Sequence, residues 1–453
     1  MKREKLSSRL GFIMLSAGCA IGLGNVWRFP FITGLYGGAL FVIIYIVFLV
    51  IFGIPVMTME FAVGRGSGKS AARSFHELED KGAKWHLFSW AAMAGNYLLM
   101  MFYTTVSGWM LAYVVKMARG DFAGLNPGEV GAVFGGFVSS PASMAGWMVV
   151  TCVIGFGICA GGLVQSVEKV TKVMMSLLFI ILLVLVIRSV TLPGASRGLA
   201  FYLKPNLNAI REHGLWTVVY AAMGQAFFTL SLGIGSMAIF GSYISRDKRL
   251  FGESITITVV DTAAALMAGF VIIPACFAFN VSPDAGPSLI FITLPNIFNH
   301  MAGGRIWGTL FFIFMTFAAM STVVAVFENI IAFAMDITDC SRVKATVINL
   351  VVVIALSLPC ALGFNVLSWF APLGSVLDLE DFIVSNNLLP LGALTYLLFC
   401  VSKKGWGWDS FIKETDSGSG IRFPAVLRPY FTWLLPLLIL VVFIFGYIDK
   451  FFK

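Results

Sequence analysis

Within its first long apolar segment the chain carries the run Gly18-Cys19-Ala20-Ile21-Gly22-Leu23-Gly24-Asn25-Val26-Trp27-Arg28-Phe29-Pro30. Each glycine in a helix interior costs about 1 kcal/mol relative to alanine, and proline costs about 3 kcal/mol. An arginine inside a membrane helix adds about 2.5–3.5 kcal/mol. Irregular backbone at membrane depth is tolerated only where protein or a water-filled cavity surrounds it. The run therefore predicts a broken membrane helix that lines a binding site.

The composition is that of a chain that lies mostly in a membrane. Of its 453 residues, 58% are hydrophobic and 12% are charged, whereas a soluble domain carries about 25% charged residues. A helix needs about 20 apolar residues to cross a bilayer. We predict an all-α integral membrane protein with eleven transmembrane helices, near residues 10–34, 38–63, 87–117, 144–161, 167–190, 215–241, 254–280, 305–335, 344–362, 376–400 and 429–448.

The net charge of +8 is explained by topology. With the N-terminus placed in the cytoplasm, most lysines and arginines fall in cytoplasmic segments, which satisfies the positive-inside rule. The charge therefore does not indicate nucleic acid as a partner, and membrane lipid is the expected surrounding. The seven cysteines lie mostly in apolar runs without metal-ligand spacing, and the four histidines lie outside the spans or at their edges. We expect inert buried thiols and no organic cofactor.

A second interrupted span follows five apolar segments after the first. Residues 225–235, Gln-Ala-Phe-Phe-Thr-Leu-Ser-Leu-Gly-Ile-Gly, again place hydroxyls and glycines at mid-membrane. Two broken helices in corresponding positions indicate a transporter built from inverted-topology repeats. We expect one transmembrane domain over 1–453, with inverted repeats near 8–190 and 213–400 and an additional helix near 429–448.

Helix breaks supply the groups that bind ions and zwitterions. Amide N–H groups at the start of a half-helix suit a carboxylate, and freed carbonyl oxygens suit a cation. The oxygen donors that we expect near the breaks are the carbonyls of 18–21, the side chains of Asn25, Thr229 and Asp261, and the hydroxyls of Ser321 and Thr322. Two alternatives are structural: a serine or threonine can bond back to its own helix, and Glu60 can cap amides that the breaks release.

The residues that carry the chemistry resemble a known family. The runs 18–30, Gly53-Ile54-Pro55 with Glu60, 225–235 and Phe291-Ile292-Thr293-Leu294-Pro295 resemble the prokaryotic branch of the neurotransmitter:sodium symporters. The resemblance extends from Lys2 to about residue 448. It implies a 5+5 inverted-repeat fold with broken helices 1 and 6, and a sodium-coupled symporter in the bacterial cytoplasmic membrane.

The resemblance implies two sodium sites, a substrate pocket and two gates. Sodium site 1 would use Ala20, Asn25, Thr229, Asp261 and the substrate carboxylate. Sodium site 2 would use Gly18, Ile21, Ala318, Ser321 and Thr322. The substrate would contact Ala20, Gly22, Leu23, Gly24, Leu99, Tyr103, Phe228, Thr229, Ser231, Ile234, Thr322 and Val326. Arg28 and Asp381 would gate the outer side, and Arg3 and Asp336, with Ser242 and Tyr243, the cytoplasmic side.

Two positions narrow the expected substrate and ions. Family members that carry amines have an aspartate where this chain has Gly22, so the ligand must bring its own carboxylate. Chloride-dependent members have a neutral residue at the position of Asp261 and a serine at that of Ala265. The resemblance therefore implies uptake of a neutral, hydrophobic amino acid, aliphatic or aromatic, by alternating access and without chloride.

Other functions stay open at this stage. A proton-coupled or exchange-type carrier of the same architecture is one alternative, and an ion channel or a non-transporting receptor is another. An enzyme is not expected, because no nucleophile–base arrangement is present. The chain also departs from the family at Leu6, usually tryptophan, and at Ser166 and Ser176, often glycine and proline. The sequence leaves open the preferred amino acid, the sodium stoichiometry, proton antiport and the oligomeric state.

Overall fold

The computed structural model of the chain describes residues 4–205, 207–281 and 288–452. The helices are, in chain order, α1 (Arg9–Ala20), α2 (Gly24–Leu35), α3 (Ala39–Ser67), α4 (Ala71–Leu78), α5 (Trp85–Arg119), α6 (Pro127–Val138), α7 (Pro141–Ala160), α8 (Leu163–Val190), α9 (Ala195–Leu203), α10 (Asn208–His213), α11 (Leu215–Thr229), α12 (Ser236–Tyr243), α13 (Leu250–Ala278), α14 (Leu289–Asn299), α15 (Gly304–Thr338), α16 (Arg342–Leu362), α17 (Val376–Val401), α18 (Trp408–Thr415) and α19 (Tyr430–Ile448).

The number of spans can be compared with the prediction of eleven. Among the described residues, nine helices are long and apolar enough to cross a membrane, and the bent pair α1 and α2 makes a tenth. The predicted span at 215–241 corresponds to α11 and α12, which have 15 and 8 residues and are separated by residues 230–235. Each is shorter than a full crossing, so an eleventh span stays a prediction.

Both predicted helix breaks are present. Helix α1 ends at Ala20, where Ile21 turns to an extended conformation (φ −71°, ψ 94°), and α2 leaves at an angle of 57°. Between α11 and α12 the backbone passes through positive φ at Ser231 (50°) and Gly233 (102°). Positive φ costs little for glycine and is uncommon for serine. The second break is therefore held in place by its surroundings as well as by its glycines.

Five π-helical turns precede prolines in the apolar helices. They lie at Gly24–Arg28, Leu49–Gly53, Leu289–Thr293, Val384–Leu388 and Tyr430–Leu434, and each ends two residues before a proline. A proline has no N–H to donate and its ring crowds the carbonyl four residues earlier. A wider turn accommodates that carbonyl, so the chain bends at these points without ending the helix.

The centre of the bundle is built from α5 and α15. The most apolar windows of these helices are 83% buried for α15 and 72% for α5, against 28% for α19. Gly108 of α5 packs directly on the backbone of Trp147 in α7. In α8 the α-helix runs without interruption over Lys169–Val190. It includes Ser176, the position at which the family often has a proline. Helix α1 of the first broken span packs on α15.

Candidate substrate and ion sites

The two breaks enclose one buried cavity. It is lined by Cys19, Ala20, Gly22, Leu23, Gly24, Leu99, Tyr103, Phe228, Ser231, Thr322 and Leu389. Most of the predicted substrate residues are among them. Three predicted residues lie elsewhere: Thr229 bonds to Asn25 and Asp261, Ile234 packs against Gly95, and Val326 is buried in α15.

Two lining residues were missed by the sequence analysis. Cys19 was taken as an inert thiol like the other cysteines, yet it lies one residue before Ala20 at the end of α1 and lines the cavity. Its place in the broken run was the signal that could have identified it. Leu389 lies directly after the π turn of α17, and nothing in its local sequence marks it as a lining residue.

The glycines of the first break allow close contacts across the cavity. A Cβ atom on Gly22 would lie 2.3 Å from Tyr103 Oη and 2.7 Å from Thr322 Oγ1, and one on Gly24 would lie 2.8 Å from the Phe228 ring. The Tyr103 hydroxyl accepts a hydrogen bond from the Leu23 amide at 3.0 Å. The cavity is therefore closed by contacts that only glycine permits.

The residues predicted for sodium site 1 lie together. The Asn25 side-chain amide donates to Thr229 Oγ1 and to Asp261 Oδ1, both at 2.9 Å, and the Thr229 hydroxyl donates to Asp261 Oδ2 at 3.1 Å. All three side chains are buried. The carbonyl of Ala20, the fourth predicted ligand, belongs to the cavity lining.

Asp261 gives this cluster its electrostatic character. Its side chain is 0% exposed, and no ion pair within the described part of the chain includes it. Burial of a carboxylate with only neutral donors is costly, because the charge loses its hydration and no opposite charge compensates for that loss. The cluster therefore favours a bound cation, and Asp261, Thr229 and a rotated Asn25 amide can present oxygens to it.

The residues predicted for sodium site 2 also converge. Ser321 Oγ lies 3.4 Å from the Ile21 carbonyl oxygen, and Thr322 Oγ1 lies 3.3 Å from that of Gly18. The Ala318 carbonyl oxygen is 2.9 Å from Ser321 Oγ. Cations of this size hold oxygens at about 2.3–2.6 Å, which places neighbouring ligands about 3.3–3.7 Å apart in an octahedral shell. The separations from Ser321 to Ile21 and from Thr322 to Gly18 fit such an ion. The 2.9 Å separation is shorter, because the Ser321 hydroxyl donates a hydrogen bond to the Ala318 carbonyl of its own helix, as in the structural alternative.

The predicted outer gate residues lie above the cavity. The Arg28 guanidinium lies 4.5 Å from the centre of the Phe228 ring, a cation–π contact. Arg28 and Asp381 both line a second, outer cavity. Asp381 accepts a hydrogen bond from the Ser385 hydroxyl at 2.6 Å. Phe228 with Arg28 above it therefore separates the inner cavity from the outer one.

Of the residues predicted for the cytoplasmic gate, Arg3 lies outside the described residues. Its predicted partner Asp336 accepts hydrogen bonds from the Ser70 amide at 2.9 Å and the Ser70 hydroxyl at 2.6 Å. The Ser242 hydroxyl donates to the Ile239 carbonyl of its own helix.

Two further carboxylates near the breaks have clear partners. Glu328 accepts two hydrogen bonds from Arg342, at 2.7 and 2.8 Å, and one from the Tyr243 hydroxyl at 2.8 Å. Glu328 and Arg342 are 14 residues apart along the chain, so local sequence spacing does not mark them as partners. Glu60 accepts hydrogen bonds from the amides of Gly233 and Met237 at the second break. These contacts match the alternative in which Glu60 caps amides that the helix breaks release.

Two broken helices that meet at a cavity are typical of secondary transporters. The chain belongs to the sodium:neurotransmitter symporter family, whose family model matches residues 3–123 and 136–451. It is therefore a multi-pass membrane protein and a sodium-dependent symporter, with sodium as a co-transported ion, and it is not an enzyme. Family membership thus favours the symporter over the channel and receptor alternatives.

Known relatives agree with this assignment. The chain is 32% identical over 450 residues to YhdH of Bacillus subtilis, described as an uncharacterized sodium-dependent transporter, covering 98% of this chain and 97% of YhdH. It is 31% identical over 456 residues to a Haemophilus influenzae protein of the same description, covering 98% of each. The crystal structure of MhsT in complex with L-phenylalanine is similar at 36% identity with a TM-score of 0.87, covering 98% of this chain and 100% of that one.

Proposed function

We propose that this symporter imports a neutral, hydrophobic amino acid, aliphatic or aromatic, with two sodium ions and without chloride. The observation that carries the proposal is the lining of the cavity, in which no described residue bears a charge. Leu99, Phe228 and Leu389 offer apolar surface to a side chain. The similar transporter MhsT was crystallised with L-phenylalanine, which supports an amino acid of this class.

The carboxylate of the ligand has a place at the first break. Gly22 supplies no negative charge to pair with an amine, and the donors that we propose for the carboxylate are the amide of Gly24 and the hydroxyl of Tyr103, two residues of the cavity lining. The positive end of the half-helix α2 favours an anion there. A sodium ion held by Ala20, Asn25, Thr229 and Asp261 would neutralise the carboxylate. Site 1 would then couple ion and substrate directly.

Two sodium ions provide enough free energy for strong accumulation. One charge that crosses about 100 mV releases about 2.3 kcal/mol, and a tenfold sodium gradient adds about 1.4 kcal/mol. Two ions supply about 7 kcal/mol, which corresponds to an accumulation of about 10⁵-fold. The second ion would bind the carbonyls of Gly18, Ile21 and Ala318 with the hydroxyls of Ser321 and Thr322.

Chloride independence rests on Asp261 and Ala265. Both are fully buried on α13, one turn apart. A fixed carboxylate beside site 1 supplies the negative charge that a bound anion would otherwise supply, and Ala265 offers no hydroxyl to hold one. Replacement of chloride should therefore leave transport unchanged.

Alternating access would use the inverted repeats 8–190 and 213–400, with the N-terminus in the cytoplasm of a bacterial cell. Tyr103 and Phe228 would form the outer lid beneath Arg28 and Asp381. Asp336 with Arg3 would close the inner side.

Uptake by proteoliposomes tests the proposal. We expect saturable uptake of labelled leucine or phenylalanine with a sodium gradient, none when potassium replaces sodium, and unchanged uptake when gluconate replaces chloride. Counterflow of labelled against unlabelled substrate should also occur. Uptake that requires chloride would contradict chloride independence. Uptake driven by a proton gradient without sodium would favour the proton-coupled alternative, and absence of counterflow would contradict transport of these amino acids.

A further inference from the structure

The N-terminal end of α1 is tied to the start of α8 by one carboxylate. Glu168 accepts hydrogen bonds from the Ser7 amide (2.8 Å), the Ser7 hydroxyl (2.7 Å), the Ser8 hydroxyl (2.9 Å) and the Lys172 ammonium (2.5 Å). Its side chain is 1% exposed. Four donors thus surround a single buried anion.

The cluster also includes the residue that caps the first turn of α1. Ser8 is the N-cap of α1, where its hydroxyl accepts a hydrogen bond from the Gly11 amide at 3.0 Å. The same hydroxyl accepts a hydrogen bond from Lys172 at 2.8 Å. Loss of the cluster would therefore release the first turn of α1, whose amides need a capping partner.

Gly11 shows how closely the two helices approach. A Cβ atom on Gly11 would lie 2.1 Å from Glu168 Oε1. A side chain there would displace the carboxylate from its donors. The glycine therefore creates the space that the buried carboxylate occupies.

The same face of α8 also packs on α1 at Gly18, beside sodium site 2. One and two turns beyond Glu168, the side chains of Thr171 and Met175 lie against Gly18, where an added Cβ atom would be 3.3 Å from each. The Gly18 carbonyl is a predicted ligand of that site. Separation of α1 from α8 would expose the site to the inner face, the side that holds residues 4–8.

A second contact at this end is weaker. Arg9 Nε donates to Glu253 at 2.9 and 3.1 Å, but the Arg9 side chain is 53% exposed. Glu253 is buried as well, with a side chain that is 4% exposed, so both carboxylates would be disfavoured without their donors. Among the described hydrogen bonds, the exposed Arg9 alone joins Glu253 to this end of the chain, whereas Ser7 and Ser8 join Glu168 through three donors. Glu168 therefore makes the more extensive tie at this end of α1.

We propose that Glu168, with Ser7, Ser8 and Lys172, is an inner latch that holds α1 on α8, and that breaking it opens the route from site 2 to the inner face. The proposal rests on the proposed function, because a latch matters only if the ion and substrate leave on that side. It adds a gating residue that is distinct from Arg3 and Asp336.

The native thiol of Cys19 is a sensor for this opening, because it lines the central cavity and is 0% exposed. Membrane vesicles, inverted or right-side-out, are treated with a membrane-impermeant methanethiosulfonate, and the labelling of Cys19 is quantified by mass spectrometry. We expect Glu168→Ala to raise the rate in inverted vesicles by about tenfold to a hundredfold, as for loss of hydrogen bonds to a charged group. Glu168→Gln, which keeps one acceptor oxygen, should raise it less.

Glu380→Gln is the matched control, since Glu380 is also buried but lies on α17, away from α1. Its rate should equal that of the wild type. Unchanged labelling of the Glu168 variants in inverted vesicles, or an increase in right-side-out vesicles alone, would overturn the latch. If Glu168→Ala does not fold, Lys172→Met and Ser7→Ala, which each remove one donor, decide the same question.

Failure of the latch can be told apart from failure of the proposed function. Sodium with phenylalanine should raise the melting temperature of the purified wild type, because a ligand of the native state stabilises it. Absence of any such shift for the neutral hydrophobic amino acids contradicts the proposed function, whatever the labelling shows. A normal shift in every variant together with unchanged labelling contradicts the latch alone.

Discussion

The two oxygen clusters at the break of the first span differ in charge and in what holds them together. The cluster around Asp261 joins α2 to α11 and α13 and contains a fully buried carboxylate. The cluster around Ser321 joins the end of α1 to α15 and contains carbonyl and hydroxyl oxygens only. A neutral cluster gains less from a cation than a charged one does. We therefore expect site 1 to hold sodium by charge and site 2 to hold it only while α1 is packed on α15.

The largest effect is expected from removal of the charge in site 1. Asp261→Asn should reduce sodium-dependent uptake at least about a hundredfold, as for breakage of a buried charge interaction. Initial rates of uptake against sodium concentration measure this, with Glu380→Gln as the control for loss of a buried carboxyl. Near-normal sodium dependence in Asp261→Asn would remove the proposed difference between the sites.

A smaller effect is expected from the neutral site. Ser321→Ala with Thr322→Val removes two hydroxyl ligands but no charge, and should raise the sodium concentration for half-maximal uptake by about tenfold to a hundredfold. The same uptake assay measures it. If the double variant reduced sodium-dependent uptake more than Asp261→Asn does, the ranking of the two sites would be reversed.

The smallest effect is expected at the glycine between the sites. In Gly22→Ala the new methyl group would press on Tyr103 Oη and Thr322 Oγ1, so substrate affinity should fall about tenfold, as for overpacking of a close contact. Gly157→Ala, where the structure leaves open space, is the matched control. Binding of labelled phenylalanine to purified protein measures both. Equal affinity in the two variants would show that the cavity is looser than described.

The sequence predicted the parts of the fold that depend on local chemistry. The glycines, Asn25, Arg28 and Pro30 are unfavourable in a continuous membrane helix, so the first break could be located from energy alone. The second break followed from the hydroxyls and glycines at 225–235. The count of spans was harder to predict, because α11 and α12 are short pieces whose continuity depends on packing.

The contacts between distant residues could not be predicted in the same way. Glu168 and its donors Ser7 and Ser8 lie about 160 residues apart in sequence, and only the packing of α8 on α1 brings them together. Leu389, the residue before Pro390, lines the cavity through the packing of α17 against the two breaks. Such contacts depend on how helices pack, which local patterns do not specify.

If each cluster binds one sodium ion, equilibrium binding of radioactive sodium to the purified protein in the presence of phenylalanine will count both ions. We predict about two ions per wild-type chain, with about one lost in Asp261→Asn and a different one lost in the Ser321→Ala, Thr322→Val double variant. A single ion in the wild type, or a number that neither substitution changes, would contradict it.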